Sequence, residues 1–86
     1  MTTINRFEDI EAWKKARAVA QKIYMITAKD PLSKDFALSK QMRRASISIM
    51  CNIAEGFGRD GSKEFIQFLA IAKRSAAEVA CQCYIA

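Results

Sequence analysis

The chain has 86 residues, room for one domain with one core, which excludes multidomain enzymes, large barrels and two-lobed nucleotide-binding folds. Half of it is apolar (51%), 27% is charged, and only three glycines and one proline interrupt it, so it is neither collagen-like nor disordered and reads as helical. Fourteen Lys and Arg against nine Asp and Glu leave a formal charge of +5, which suits acidic partners without naming one.

There is no histidine, so imidazole metal ligands, Ser-His and Cys-His nucleophile pairs and an imidazole general base are all excluded. Cys51, Cys81 and Cys83 are odd in number and lack zinc-ligand spacing. They read as buried, reduced thiols of a cytoplasmic protein, and no metal or cofactor is expected. The opening MTTINRFEDIEAW places acids where a secretory signal needs an apolar run, and no stretch nears the roughly 18 apolar residues of a membrane span. A soluble cytoplasmic protein without a membrane partner is therefore expected.

Pro31 and the glycines Gly56, Gly58 and Gly61 divide the chain into three helical segments, at about 7–28, 35–55 and 61–86. In the first, Trp13, Ala16, Val19, Ala20, Ile23, Tyr24 and Thr27 share one arc of about 140°, a broad core face. Glu8, Asp9 and Glu11 open this helix, Lys22 and Lys29 close it, and Glu11 with Lys15 makes a favourable i,i+4 pair. Asp30-Pro31 ends it, because the residue before a proline resists the α region.

In the second segment Leu38, Met42, Ala45, Ile49, Asn52, Ile53 and Gly56 face one side within about 100°. The opposite side is basic at one end (Lys40, Arg43, Arg44) and apolar at the other (Ile47, Met50, Cys51, Ala54). Such a second apolar stripe calls for another helix or another subunit. The third segment starts among the capping residues Asp60 to Ser62 and carries two stripes, one of Phe65, Leu69, Ala72, Ala76, Val79 and Cys83, another of Ile66, Ala70, Ala77 and Tyr84. Its pattern is still running at Ile85-Ala86, so a shortened chain lacking a fourth helix is expected.

The run SISIMCNIAEGFGRDGSKEFIQFLAIAKRSAAE (Ser46 to Glu78), with FEDIEAWKKA near the start, Ile23-Tyr24 and QMRRA (Gln41 to Ala45), closely resembles the bacterial four-helix-bundle family of 23S rRNA intervening-sequence proteins. Its most specific piece is NIAEGFGR (Asn52 to Arg59) followed by KEFIQFL (Lys63 to Leu69). The resemblance implies an all-α fold, an antiparallel up-and-down four-helix bundle, assembled into a ring-like homo-oligomer, a pentamer, and encoded in some bacteria within insertions in ribosomal RNA genes. A related branch is similar to accessory proteins of diversity-generating retroelements, basic oligomers that engage nucleic acid and a reverse transcriptase. Many relatives have a proline before the Asn-Ile-Ala-Glu-Gly run, where this chain has Met50-Cys51, so a straighter helix is expected.

Lys40, Arg43 and Arg44, with Arg59 beyond the helix end, are the candidate phosphate contacts, since guanidinium forks match phosphate oxygens. Lys14 and Arg17 extend the basic surface; the plainer alternative is a solvated helix face. Repeated around a ring, such contacts would add by multivalency and bind RNA or DNA without sequence preference. Ile47, Met50, Cys51, Ala54 and Phe57 are the candidate oligomer interface. Asn52, Glu55, Gly56 and Gly58 read as a structural motif: Asn52 bonding a neighbouring helix, Glu55 pairing with an arginine of another subunit, and the glycines ending the helix and supplying positive-φ turns.

A single carboxylate without a partner acid, base or metal does not make a catalytic site, so no catalytic residue is expected. GFGRDG lacks the spacing of known phosphate-cradling loops. Trp13, Tyr24, Phe65 and Phe68 read as packing aromatics rather than base-stacking platforms, and Phe57 as a residue that staples the turn or plugs a neighbouring subunit. The reading that results is a non-enzymatic helical oligomer acting as a basic adaptor for structured RNA or a ribonucleoprotein. The alternative is a purely structural or protein-interaction oligomer.

Overall fold

The computed structural model describes residues 6–59 and 61–86, which form three long helices and no strand. These are α1 (Glu11–Thr27), α2 (Phe36–Phe57) and α3 (Ser62–Ile85), with 3₁₀ turns at Phe7–Asp9 and Leu32–Lys34 leading into the first two. No helix among the described residues is long and apolar enough to cross a membrane.

α1 starts later than the acidic cluster suggests. Ile10 adopts an extended conformation (φ −74°, ψ 124°) that separates the Phe7–Asp9 turn from the helix. Glu11 is left as the acid of the first turn, and it pairs with Lys14 at 3.4 Å rather than with Lys15. The Phe7 ring meets Trp13 edge-on, centroids 5.3 Å apart, and so pins the turn to the helix. At the other end the Thr27 hydroxyl donates to the Ile23 carbonyl at 2.6 Å, and no basic residue occupies the last turn.

Asp35 caps α2: its carboxylate accepts the Leu38 N–H at 3.1 Å, relieving one orphan donor of the first turn. The helix then runs past Glu55 through Gly56 and Phe57. Gly58 is right-handed (φ −75°), so of the described glycines Gly61 alone supplies a positive φ, at 104°. Gly61 also holds the N-cap position of α3 with no side-chain cap bond, so Ser62 does not cap; the capping role expected of Asp60 falls outside the described residues.

α2 is the central element. Both other helices pack on it, and no Cα of α1 lies within 8 Å of one in α3 among the described residues. One buried cluster joins Ile23 of α1, Met42 and Ala45 of α2, and Val79 of α3; a second joins Ala16, Ile53 and Ala72. Burial of each large aliphatic side chain here contributes about 1.5 to 3 kcal/mol, and the alanines between them let the backbones approach. A polar seam crosses the α2–α3 contact, where Ser75 donates to Ser48 Oγ at 2.9 Å and Asn52 Nδ2 donates to the same oxygen at 3.0 Å and to the Ser48 carbonyl at 2.8 Å. Asn52 therefore bonds its own helix and reaches α3 only through Ser48.

This arrangement accounts for the two apolar stripes of α2: the inner one meets α1 and α3, and part of the outer one meets the segment from Phe7 to Trp13. Met50 packs with Ile10 and Trp13 against the Ala16 cluster, while Met50, Ala54 and Phe57 are half-buried. Ile47 and Cys51 remain exposed. Cys81 and Cys83 are exposed as well, which overturns the expectation of buried thiols; around them only Gln82 of the last turn of α3 is covered. Val19 and Tyr24, expected in the core, are exposed too, Val19 at the groove between α1 and α3 and Tyr24 beside Arg43 at the edge of the α1–α2 contact.

Candidate nucleic-acid interface

The Phe36 end of α2 runs beside the Thr27 end of α1, and the cations of the first half of α2 meet α1 there. Arg43 is half-buried: its Nε donates to Thr27 Oγ1 at 2.8 Å, and its guanidinium lies 4.6 Å from the centre of the Tyr24 ring. Thr27 is 2% exposed, so this hydrogen bond is shielded from water and fixes the guanidinium in place. The cation–π contact adds to that fixing.

Around Arg43 lies a cleft of about 700 Å³, lined by Tyr24, Phe36, Lys40, Arg44 and Ile47 with parts of Thr27, Ala28, Ser33 and Ser39. Lys40 and Arg44 are exposed beside it. No carboxylate lines this cleft, and Lys40, Arg43 and Arg44 have no acid within ion-pair distance among the described residues. Three cations therefore converge without internal neutralisation, the condition for attracting an external anion.

The remaining candidate cations are placed differently. Arg59 pairs with Glu55 at 2.8 Å and lies 5.3 Å from the Phe68 ring centre. It sits past the far end of α2, about 20 Å or more from Arg44 at 1.5 Å per residue, so it is not part of this cluster. Glu55 thus has an arginine of its own chain as partner, where an arginine of another subunit was expected. Lys14 is engaged by Glu11, and Arg17 stands 6.0 Å from the Trp13 ring; the two line a separate shallow hollow with Arg6 and Gln21. Arg17 also borders a third depression with Tyr24, Ile47 and Met50, which links the hollow to the cleft along the α1–α2 face.

Two residues of the site went unread in the sequence. Phe36 is 80% exposed in the first turn of α2, and Tyr24 opens onto the cleft instead of the core. The signal was present: Phe36, Lys40, Arg43 and Ile47 follow i, i+4, i+7, i+11 spacing, one stripe of a helix, on the side opposite Leu38 and Met42. Gly56 belongs to the packing, since a Cβ built there would stand 2.7 Å from Phe68 Cβ and 2.9 Å from Phe65 Cδ1. It permits close approach of α2 and α3 rather than ending the helix. Among the described residues no group of three or more Cys, Asp or Glu side chains is placed to hold a metal.

The fold and this cleft define a small all-helical protein with a basic, aromatic-bordered surface. The family model of the 23S rRNA-intervening sequence protein matches residues 8–86, and the chain belongs to that family. No curated protein and no solved structure matches it.

Proposed function

We propose that this protein is a non-enzymatic, cytoplasmic adaptor that binds nucleic acid, RNA foremost, through phosphate contacts without sequence preference. The observation that carries this reading is the convergence of Lys40, Arg43 and Arg44, all without an acidic partner among the described residues, on one cleft. The family's name, which ties it to intervening sequences of 23S rRNA, and the charge of +5 support it. Contacts of this kind release counterions, so affinity falls with salt at a slope of about −0.7 per phosphate engaged on a single strand. The test is retention of a labelled generic RNA at low and at high salt. Binding that weakens steeply with salt is expected, and absence of binding at both ionic strengths rejects the proposal.

The same reading places the three helices in an antiparallel four-helix bundle that assembles as a homo-oligomer, a pentamer by family likeness. The pairings of Ser48 with Ser75 and of Gly56 with Phe65 and Phe68 support the antiparallel sense of α2 and α3, as later positions on α2 meet earlier ones on α3. A reverse transcriptase or another protein would then be a partner for the assembled surface.

A second reading, a structural or protein-interaction oligomer without nucleic acid, draws on the open apolar groove between α1 and α3. Val19, Ile49, Ile53, Leu69 and Ala76 line it, with Lys15 and Lys73 beside them. Protein partners that co-purify in place of nucleic acid would favour this second reading.

A further inference from the structure

We propose that the cleft between Tyr24 and Phe36 takes one unpaired base of a nucleic-acid strand, with the adjoining phosphate held by Lys40 and Arg44. This rests on the nucleic-acid reading above and narrows it to single-stranded segments, loops or ends. A solitary exposed phenylalanine is ordinary on a protein surface. Phe36 differs in what surrounds it. Its ring is exposed and belongs to neither buried cluster, yet it walls a cleft of about 700 Å³, within the size range of small-ligand sites.

The other walls supply what a nucleotide needs. Ile47 and Tyr24 are apolar or aromatic surfaces for a flat ring, and bases stack on aromatic side chains and on guanidinium planes irrespective of their identity. The guanidinium of Arg43 is already held by Thr27 and Tyr24, so ordering it on binding costs little. Lys40 and Arg44, exposed and with no acid at ion-pair distance among the described residues, are left to meet the phosphate. A base inside a duplex is paired and stacked and does not enter a cleft between two helices; a duplex offers such a site only its backbone.

The test compares a short labelled polyadenylate RNA with the same RNA annealed to its complement, for the full chain and its Phe36→Ala and Lys40→Ala/Arg44→Ala variants. Phe36 is exposed in a first turn, so its truncation leaves the fold intact, which circular dichroism checks. The single strand is expected to bind more tightly than the duplex, and Phe36→Ala is expected to weaken single-strand binding by about 5- to 150-fold, the range for losing one stacked base, with the duplex unchanged. Lys40→Ala/Arg44→Ala is expected to weaken both. If Phe36→Ala changes neither or weakens both equally, the base site is overturned while phosphate binding stands. Failure of every form to bind either RNA removes the nucleic-acid reading itself. A drop in solution mass of Phe36→Ala would assign the ring to a contact between copies and also overturn the base site.

Discussion

Gly56 of α2 and Phe68 of α3 approach so closely that a methyl group on Gly56 would stand 2.7 Å from Phe68 Cβ. Cβ is fixed to the backbone and has no rotamer by which to move aside, and Phe65 Cδ1 closes the other side at 2.9 Å. A helical glycine changed to alanine gains up to about 1 kcal/mol from propensity, while overpacking costs about 1 to 3 kcal/mol. The clash outweighs the gain, so Gly56→Ala is expected to lower stability by up to about 2 kcal/mol in urea unfolding. A stabilised variant would show that α2 and α3 are not this close.

Arg43 has a structural duty as well as a charge. Arg43→Ala removes the hydrogen bond to Thr27 and the stack on Tyr24, an expected loss of about 1.5 to 3 kcal/mol for a bond to a charged group. Arg43→Lys keeps the charge and loses the fork, so it is expected to restore RNA binding more fully than stability. A double-mutant cycle with Thr27→Val measures the coupling, expected at about 1 kcal/mol or more; additivity of the two changes would remove the link between α1 and α2 described here.

The three thiols are exposed, so all of Cys51, Cys81 and Cys83 are expected to react with a thiol reagent in the native state, without denaturant. Fewer than three reacting would mean that an assembly covers one of them. Single Cys→Ser variants identify which, and Cys51 beside Ile47 on the outer stripe of α2 is the one to watch.

Apolar surface left on α3 tests association. Ile66 is 63% exposed, and Leu69, 37% exposed, lines the groove that α1 and α3 leave open. If copies meet there, Ile66→Lys and Leu69→Lys are expected to reduce the solution mass by sedimentation while helicity is kept. An unchanged mass would mean that no copies meet through these residues.

Much of the fold was legible because helical periodicity records which side is covered. Met42, Ala45, Ile53 and Gly56 fell on one arc of α2 and are all buried, and Ala16, Ala20, Ile23 and Thr27 did the same on α1. What periodicity does not carry is how many neighbours each helix has. The outer stripe of α2 called for another helix or another subunit; on it Met50 packs with Ile10 and Trp13 of the same chain, while Ile47 and Cys51 stay exposed. Tyr24 and Val19, counted as core, lie at its margins: Tyr24 borders the cleft beside Arg43, and Val19 borders the groove between α1 and α3.

The candidate site divided in a similar way. Lys40, Arg43 and Arg44 are adjacent in sequence on one helix face and are adjacent in space. Arg59 and Lys14 looked equivalent as charges, and each is answered by its own acid, Glu55 and Glu11. Cys83 fell on the main stripe of α3 and is exposed all the same, because it sits with Cys81 at the end of α3, where little packs. Phe36 was hidden by its neighbour: Asp35 marks a helix start so clearly that the residue after it passes as part of the first turn.

The most direct measurement sets unmatched cations against matched ones at equal charge. RNA affinity is compared for Lys40→Ala/Arg44→Ala and for Lys14→Ala/Arg59→Ala, each two charges lower than the parent chain. The account predicts a loss of tenfold or more, about 1.4 kcal/mol, and a shallower salt slope for the first pair, with a much smaller change for the second. Equal losses in both pairs would mean that RNA responds to net charge alone, and the cleft beside Arg43 would not be its site.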